Sequence, residues 1–155
     1  MSLLTKTIVG SILLFIAFCF VSSDIFPSSC ELNVLIVLDR SDSVKGGFNR
    51  SRDFVLNASQ ELNIGPHAHS VAVIAYSGKR YPRQILPWNF AKNNEEFYKK
   101  VKQLRSPGGT TATREALLDA YVLMESRNKS IPNVIMVVTD GQSQDVPTDA
   151  ARKLQ

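Results

Sequence analysis

The sequence predicts an α/β fold: a doubly wound, mostly parallel sheet with helices on both faces. Three observations predict it. Residues 32–38 (LNVLIVL), 70–76 (SVAVIAY) and 134–138 (VIMVV) are short, continuous apolar runs rich in β-branched residues, as strands covered on both faces are. Stretches with apolar residues at helical spacing separate them. Two of the runs end in an acid, Asp39 and Asp140. Alternating buried strands and amphipathic helices make βαβ units. In such sheets ligands bind beyond the carboxyl ends of the strands, where strand order reverses.

Taken in order, the chain opens with a segment outside the fold. Lys6 lies in a short positive region, residues 8–21 are almost unbroken in their apolarity, and Val21-Ser22-Ser23 precede Asp24. This is the pattern of a secretory signal over residues 1–23. The apolar run falls short of the roughly 20 residues that span a bilayer, and no later segment reaches that length, so no membrane span is expected after cleavage. Residues 24–30 form a lead-in, and 31–155 have the length of one domain.

After the first strand, Gly46-Gly47 breaks the chain. Phe48, Ser51, Val55, Ala58 and Leu62 then recur at helical spacing, with Arg50, Asp53, Asn57 and Gln60 opposite, predicting a helix over 47–62. A turn containing Gly65-Pro66 leads into the strand at 70–76. Gln84-Ile85-Leu86, hemmed by Pro82 and Pro87, reads as an edge strand. Asn93 or Asn94 caps the next helix, with Glu95 and Glu96 in its first turn and Phe97, Val101 and Leu104 inward. Ser106-Pro107-Gly108-Gly109 reads as a flexible loop. A further helix turns Ala116, Leu117, Ala120, Tyr121 and Met124 to one face. The third apolar run follows, and Pro147 opens a last helical segment. There is no internal repeat.

Net charge is +4 for the whole chain and is scattered. The nearest basic run, Lys99, Lys100 and Lys102, falls late in a helix where the dipole favours it, so nucleic-acid binding is not expected. Asn49, Asn57 and Asn128 each begin an N-x-Ser sequon. Behind a signal sequence these are glycosylation acceptors and agree with a secreted, extracellular address. Of the two cysteines, Cys19 leaves with the signal. Cys30 remains as an odd thiol, which suggests a partner on another chain or one missing from this sequence.

The strand ends carry the candidate chemistry. Asp39, Ser41 and Ser43 stand two apart where extended chain loosens, so they can face one point. Thr110 or Thr111 and Asp140 arrive from two other loops. Carboxylates and hydroxyls without thiolate or imidazole form an all-oxygen set, suited to Mg²⁺, Mn²⁺ or Ca²⁺ rather than zinc. Two carboxylates offset the cation's charge while the neutral hydroxyls leave it electron-poor, open to a carboxylate from a partner protein. The bland alternative is turn and capping roles, which Ser and Asp also favour. His67 and His69 sit in a turn without a third ligand, and Gly108-Gly109 lacks the phosphate-loop pattern.

DRSDS at 39–43 matches the D-x-S-x-S signature of von Willebrand factor type A (vWA) and integrin I domains. GGTTATREAL at 108–117 resembles their G-G-x-T-x-T-x-x-A-L segment, VVTDG at 137–141 their fourth-strand terminus, and residues 70–88 their second and third strands. The resemblance runs from about residue 30 to 155. It implies a metal-ion-dependent adhesion site with Ser41, Ser43 and Thr111 bound directly to the ion and Asp39 and Asp140 acting largely through water. Thr111 keeps the family's T-x-T-x-x-A-L register with Thr113 and Leu117, and Thr110 is the fallback. Arg40 and Asp42 stand where the family usually has small residues. Arg40 brings a positive charge close to the ion, and Asp42 can compensate it or cap the next turn.

The resemblance also implies a domain incomplete at its C-terminus, lacking the family's last strands and helices. It implies that the strand at 134–138 is left with an exposed edge, and that Cys30's usual partner lies beyond Gln155. The expected function is an extracellular adhesion module that binds a protein ligand through a divalent cation. The alternatives are a vWA scaffold without metal, serving structure or assembly, and a non-functional shortened isoform. An enzyme is not expected, because no positioned general base accompanies the site and Gly-x-Ser-x-Gly is absent.

Overall fold

The structure, a computed structural model, describes residues 31–44 and 47–155. The expected signal, the lead-in and Cys30 lie outside the described residues. Strands β1 (Asn33–Asp39), β2 (Ser70–Tyr76), β3 (Gln84–Leu86) and β4 (Asn133–Val138) form one sheet in the order β3-β2-β1-β4. β1 is parallel to both β2 and β4, and β3 runs antiparallel to β2. The chain leaves β1 toward one side and later returns to its other side, so strand order reverses at β1. Asp39 lies opposite Tyr76, and Leu38 opposite Val138. The three parallel strands therefore end at one level, and the loops after them emerge together.

The pleat sorts side chains into two cores. Val34, Ile36 and Leu38 of β1 join Val71, Val73 and Ala75 of β2 on one face, under Phe48, Val55, Leu56, Phe97 and Val101. Leu35 and Val37 join Ala72, Ile74 and Tyr76 on the other, under Ala116 and Ala120. The first set of helix residues belongs to α1 (Phe48–Ala58) and α2 (Asn94–Lys102), the second to α3 (Thr113–Glu125). A short helix, α4 (Thr148–Lys153), packs on α3 with Ala150 fully buried. The doubly wound, mostly parallel α/β sheet expected from the sequence is thus the observed one. Among the described residues no helix is long and apolar enough to cross a membrane.

Three local expectations need correction. The helix expected over 47–62 ends at Ala58 and tightens into a 3-10 turn, Ser59–Glu61, because Leu62 must turn extended to enter the core. On α1, Ser51 and Ala58 are only half-buried while Arg52 and Leu56 are buried. Arg52 can go inward because its guanidinium donates to the carbonyls of Lys102 and Leu104 at the end of α2 and just past it. The guanidinium carbon lies over the Phe48 ring, 5.9 Å from its centroid. The Gly108-Gly109 loop, read as flexible, is pinned on two sides by contacts described below. Among the cap assignments, Asn93 caps α2, accepting from Glu96 N at 2.8 Å.

Candidate metal centre

The Asp39 carboxylate is wholly buried at the end of β1. Its Oδ1 accepts from the backbone N–H of Ser41 at 2.9 Å, a local turn that folds the chain back over the strand end. Ser41 and Ser43 thereby face the same point, with hydroxyl oxygens 2.9 Å apart. Thr111 arrives from the loop before α3. Its Oγ1 lies 2.8 Å from Ser41 Oγ and 3.1 Å from Ser43 Oγ. Three hydroxyls from two segments thus form a nearly equilateral triangle.

That triangle can be tested against a metal ion. Octahedral Mg²⁺ holds oxygen at about 2.0–2.1 Å, which sets neighbouring ligands about 2.8–3.0 Å apart, while Ca²⁺ at about 2.3–2.6 Å would spread an octahedral face to about 3.3–3.7 Å. Two of the observed edges, 2.8 and 2.9 Å, fall in the range of the smaller octahedron and the third, 3.1 Å, lies just above it; all three are also hydroxyl hydrogen bonds. Thr111, not Thr110, supplies the third corner. The Thr110 hydroxyl is turned onto Gly78, so close that a Cβ there would collide with it.

The two carboxylates differ. Asp39 lies behind the triangle, its Oδ2 accepting from the Thr139 hydroxyl at 2.8 Å. Asp140, the next residue, accepts from Gln142 N at 3.1 Å through Oδ1, while its Oδ2 is buried without a partner. Its carboxylate makes no hydrogen bond to the three hydroxyls. Its link to them runs only along the chain to Thr139, which bonds Asp39. A buried, unpaired carboxylate oxygen is costly unless a cation or water satisfies it, which fits a positively charged group at this strand end. Among the described residues no cluster of three His, Cys, Asp or Glu side chains could hold a metal. The convergence here is built of hydroxyls.

The surroundings hold what the sequence did not disclose. Asp42 neither faces the triangle as a counter-charge nor caps a helix. Its carboxylate accepts from Gly109 N at 2.7 Å, and its own N–H donates to Gly109 O at 3.0 Å. Gly108 and Gly109 have φ of +75° and +86°, and any Cβ would strike Asp42 at the first and the Tyr81 ring at the second. Ala112 N donates to Ser77 O at 3.1 Å, tying the same loop to the end of β2.

Arg40 turns away from the triangle. Its guanidinium donates to Pro82 O at 2.8 Å, Arg105 O at 3.1 Å and Gln84 Oε1 at 3.4 Å. Burial holds its pKa below the ordinary arginine value. The positive charge expected beside the ion is directed into the groove between β3 and the segment after α2.

α3 has no capping side chain of its own. Ser143 Oγ accepts from Thr113 N at 3.1 Å and Asp145 Oδ1 from Arg114 N at 2.9 Å, so the loop after β4 caps this helix from a distance. Gln144 N also donates to Thr111 O at 2.9 Å. Under the site, the Tyr76 hydroxyl meets Thr113 Oγ1 at 3.1 Å. Burial pushes the Tyr76 phenol up to about 12, with the Thr113 hydrogen bond opposing.

The remaining expected residues have plain places. Asn49, Asn57 and Asn128 are all exposed. His69 is buried, its Nδ1 accepting from Leu32 N at 3.2 Å, and burial lowers its pKa. His67 is exposed.

A family model described as the von Willebrand factor type A domain matches residues 33–155. Human von Willebrand factor A domain-containing protein 2 is 32% identical over 121 residues, covering 75% of this chain and 16% of that protein. Matrilin-1 of Gallus gallus is 28% identical over 131 residues, covering 81% of this chain and 26% of that protein. The chain therefore spans well under a third of the length of these curated relatives. Proximal thread matrix protein 1 from the mussel byssus, solved with a zinc-occupied MIDAS motif, shares the fold at a TM-score of 0.67 and 19% identity. The match covers 81% of this chain and 35% of that one.

Proposed function

The chain belongs to the von Willebrand factor type A family, and on that premise we propose that it is an extracellular adhesion module that grips a protein ligand through a divalent cation. The hydroxyl triangle of Ser41, Ser43 and Thr111 carries this reading, because its 2.8–3.1 Å edges lie close to those of a Mg²⁺ octahedral face and well short of those of Ca²⁺. Asp39 and Asp140 would balance the charge. Bound there, the ion supplies an electrophilic position that takes a carboxylate oxygen of the partner. The protein's residues do the rest: Asp39 orients Ser41 through its backbone N–H, and the Asp42 clamp holds the loop that carries Thr111.

Relatives such as matrilins are extracellular adhesion or matrix proteins, which supports the secreted address. Asn49, Asn57 and Asn128 would then carry glycans, and the secreted chain would lose mass on treatment with an N-glycosidase.

Thermal unfolding of the full chain against Mg²⁺, Mn²⁺, Ca²⁺ and Zn²⁺ tests the metal. The mussel protein's zinc makes that fourth ion a necessary comparison. At a hundredfold excess over Kd, an ion adds about 2.7 kcal/mol of stability. A chelator should remove the gain, and Asp39→Asn should abolish it while leaving the chain folded.

A second reading has one observation in its favour. The three hydroxyls satisfy one another by hydrogen bonds, so the triangle itself does not need an ion. A scaffold role in structure or assembly follows if none of the four ions raises the unfolding temperature.

A further inference from the structure

Beside the triangle lies a cleft of about 530 Å³ whose lining includes Lys79, Arg80, Tyr81, Thr110, Gln144 and Asp145. It shares Thr110 and Gln144 with a smaller hollow of about 210 Å³ that contains Ser43 and Thr111. The two are therefore contiguous across the loop that bears the third hydroxyl. The wall of the larger cleft is well anchored. Tyr81 N donates to Gly78 O at 3.0 Å, the Tyr81 ring rests on Gly109, and Gly78 lies against Thr110.

Charge in the lining is net positive, two cations against one acid. Lys79 and Arg80 are exposed, and neither forms an ion pair among the described residues, whereas nearby Arg83 is paired with Asp119. The one acid in the lining has one oxygen engaged. Asp145 accepts from Arg114 N and Ser143 Oγ through Oδ1, while its Oδ2 is buried without a hydrogen-bond partner. Arg114 is in turn paired with Asp149 and Glu115. Two cations beside an aromatic ring thus face open solvent next to the proposed ion.

We infer that the 79–81 turn is a second contact surface that selects an acidic protein segment, its second Asp or Glu meeting Lys79 and Arg80 while the first engages the metal. This rests on the metal-dependent reading above. The two hollows meet at adjacent residues, and an extended chain advances about 3.3 Å per residue. The second acid therefore falls a few residues from the first, a spacing the peptides below are chosen to bracket. A lone acidic residue in a neutral surround is a weaker ligand, and the preference falls with salt.

The test uses the full chain and fluorescent peptides in magnesium. One peptide carries a single Asp in a Gly/Ser background. Others add a Glu two, three or four residues away. The best of the latter should bind about three- to tenfold more tightly at low ionic strength. In the double variant Lys79→Gln/Arg80→Gln that advantage should vanish, while the single-Asp peptide and the magnesium-induced rise in unfolding temperature change little. An advantage that survives in the variant, or no advantage in the parent chain, overturns this inference alone. Peptides that bind no better with magnesium than with chelator overturn the metal reading and this inference with it.

Discussion

Tyr76 shows how much one buried group can govern. Its phenol is fully enclosed beneath the candidate site and bonded to Thr113. With the folded-state pKa raised to about 12 from an ordinary value near 10, the neutral side chain contributes stability that is fully present below pH 10. The unfolded chain ionises first, so that stability is lost as pH climbs through 12, a decline of about 2–3 kcal/mol. Urea unfolding between pH 9 and 12 should show this slope in the parent chain and not in Tyr76→Phe. At neutral pH that variant should cost only about 1 kcal/mol for the missing hydrogen bond. The residue scale also shows a limit of sequence reading. Arg40 sits between two site positions in the sequence, yet its guanidinium is directed at Pro82 and Arg105. Long side chains choose their direction from distant acceptors, which adjacency does not reveal.

Among the elements, α2 and α3 make an instructive pair. α2 is capped by its own Asn93, a local signal that the sequence displays. α3 borrows Ser143 and Asp145 from thirty residues away. Replacing any one of these three by Ala should cost about 1 kcal/mol in denaturant unfolding. The consequences for the site should differ. Ser143→Ala and Asp145→Ala loosen the loop that holds Thr111 and should weaken magnesium binding, whereas Asn93→Ala should leave it unchanged, as titration calorimetry would report. Gly109→Ala belongs to the same scale. A left-handed φ and the Tyr81 ring both oppose a Cβ there, so the variant should lose about 1–3 kcal/mol and some magnesium affinity. The glycine pair was visible in the sequence as a loop, but what fastens it was not, because Asp42 and Tyr81 meet it only through the fold.

At the scale of the molecule, sheet order decides which strands are protected. β1 and β4 read alike in sequence as continuous apolar runs. β1 is buried along its whole length between two partners, while among the described residues β4 pairs with β1 on one side only and leaves Val137 43% exposed. An apolar strand with an unpaired edge invites association. The chain should scatter light increasingly with concentration at neutral pH, and Val137→Lys should reduce that scattering without lowering the unfolding temperature by more than a few degrees.

What the sequence determined by itself was local: three apolar strands, the helices between them, and the oxygen-bearing residues that follow the strand ends. Side-chain period and capping residues encode these over a few positions, so they survive without knowledge of the fold. The tertiary structure alone decided that Thr111 meets Ser41 across seventy residues, that Asp140 retains an unpaired buried oxygen, and that Lys79 and Arg80 stand beside that meeting point. Those facts depend on strand order and register, which bring distant segments to one level, and no local periodicity specifies either.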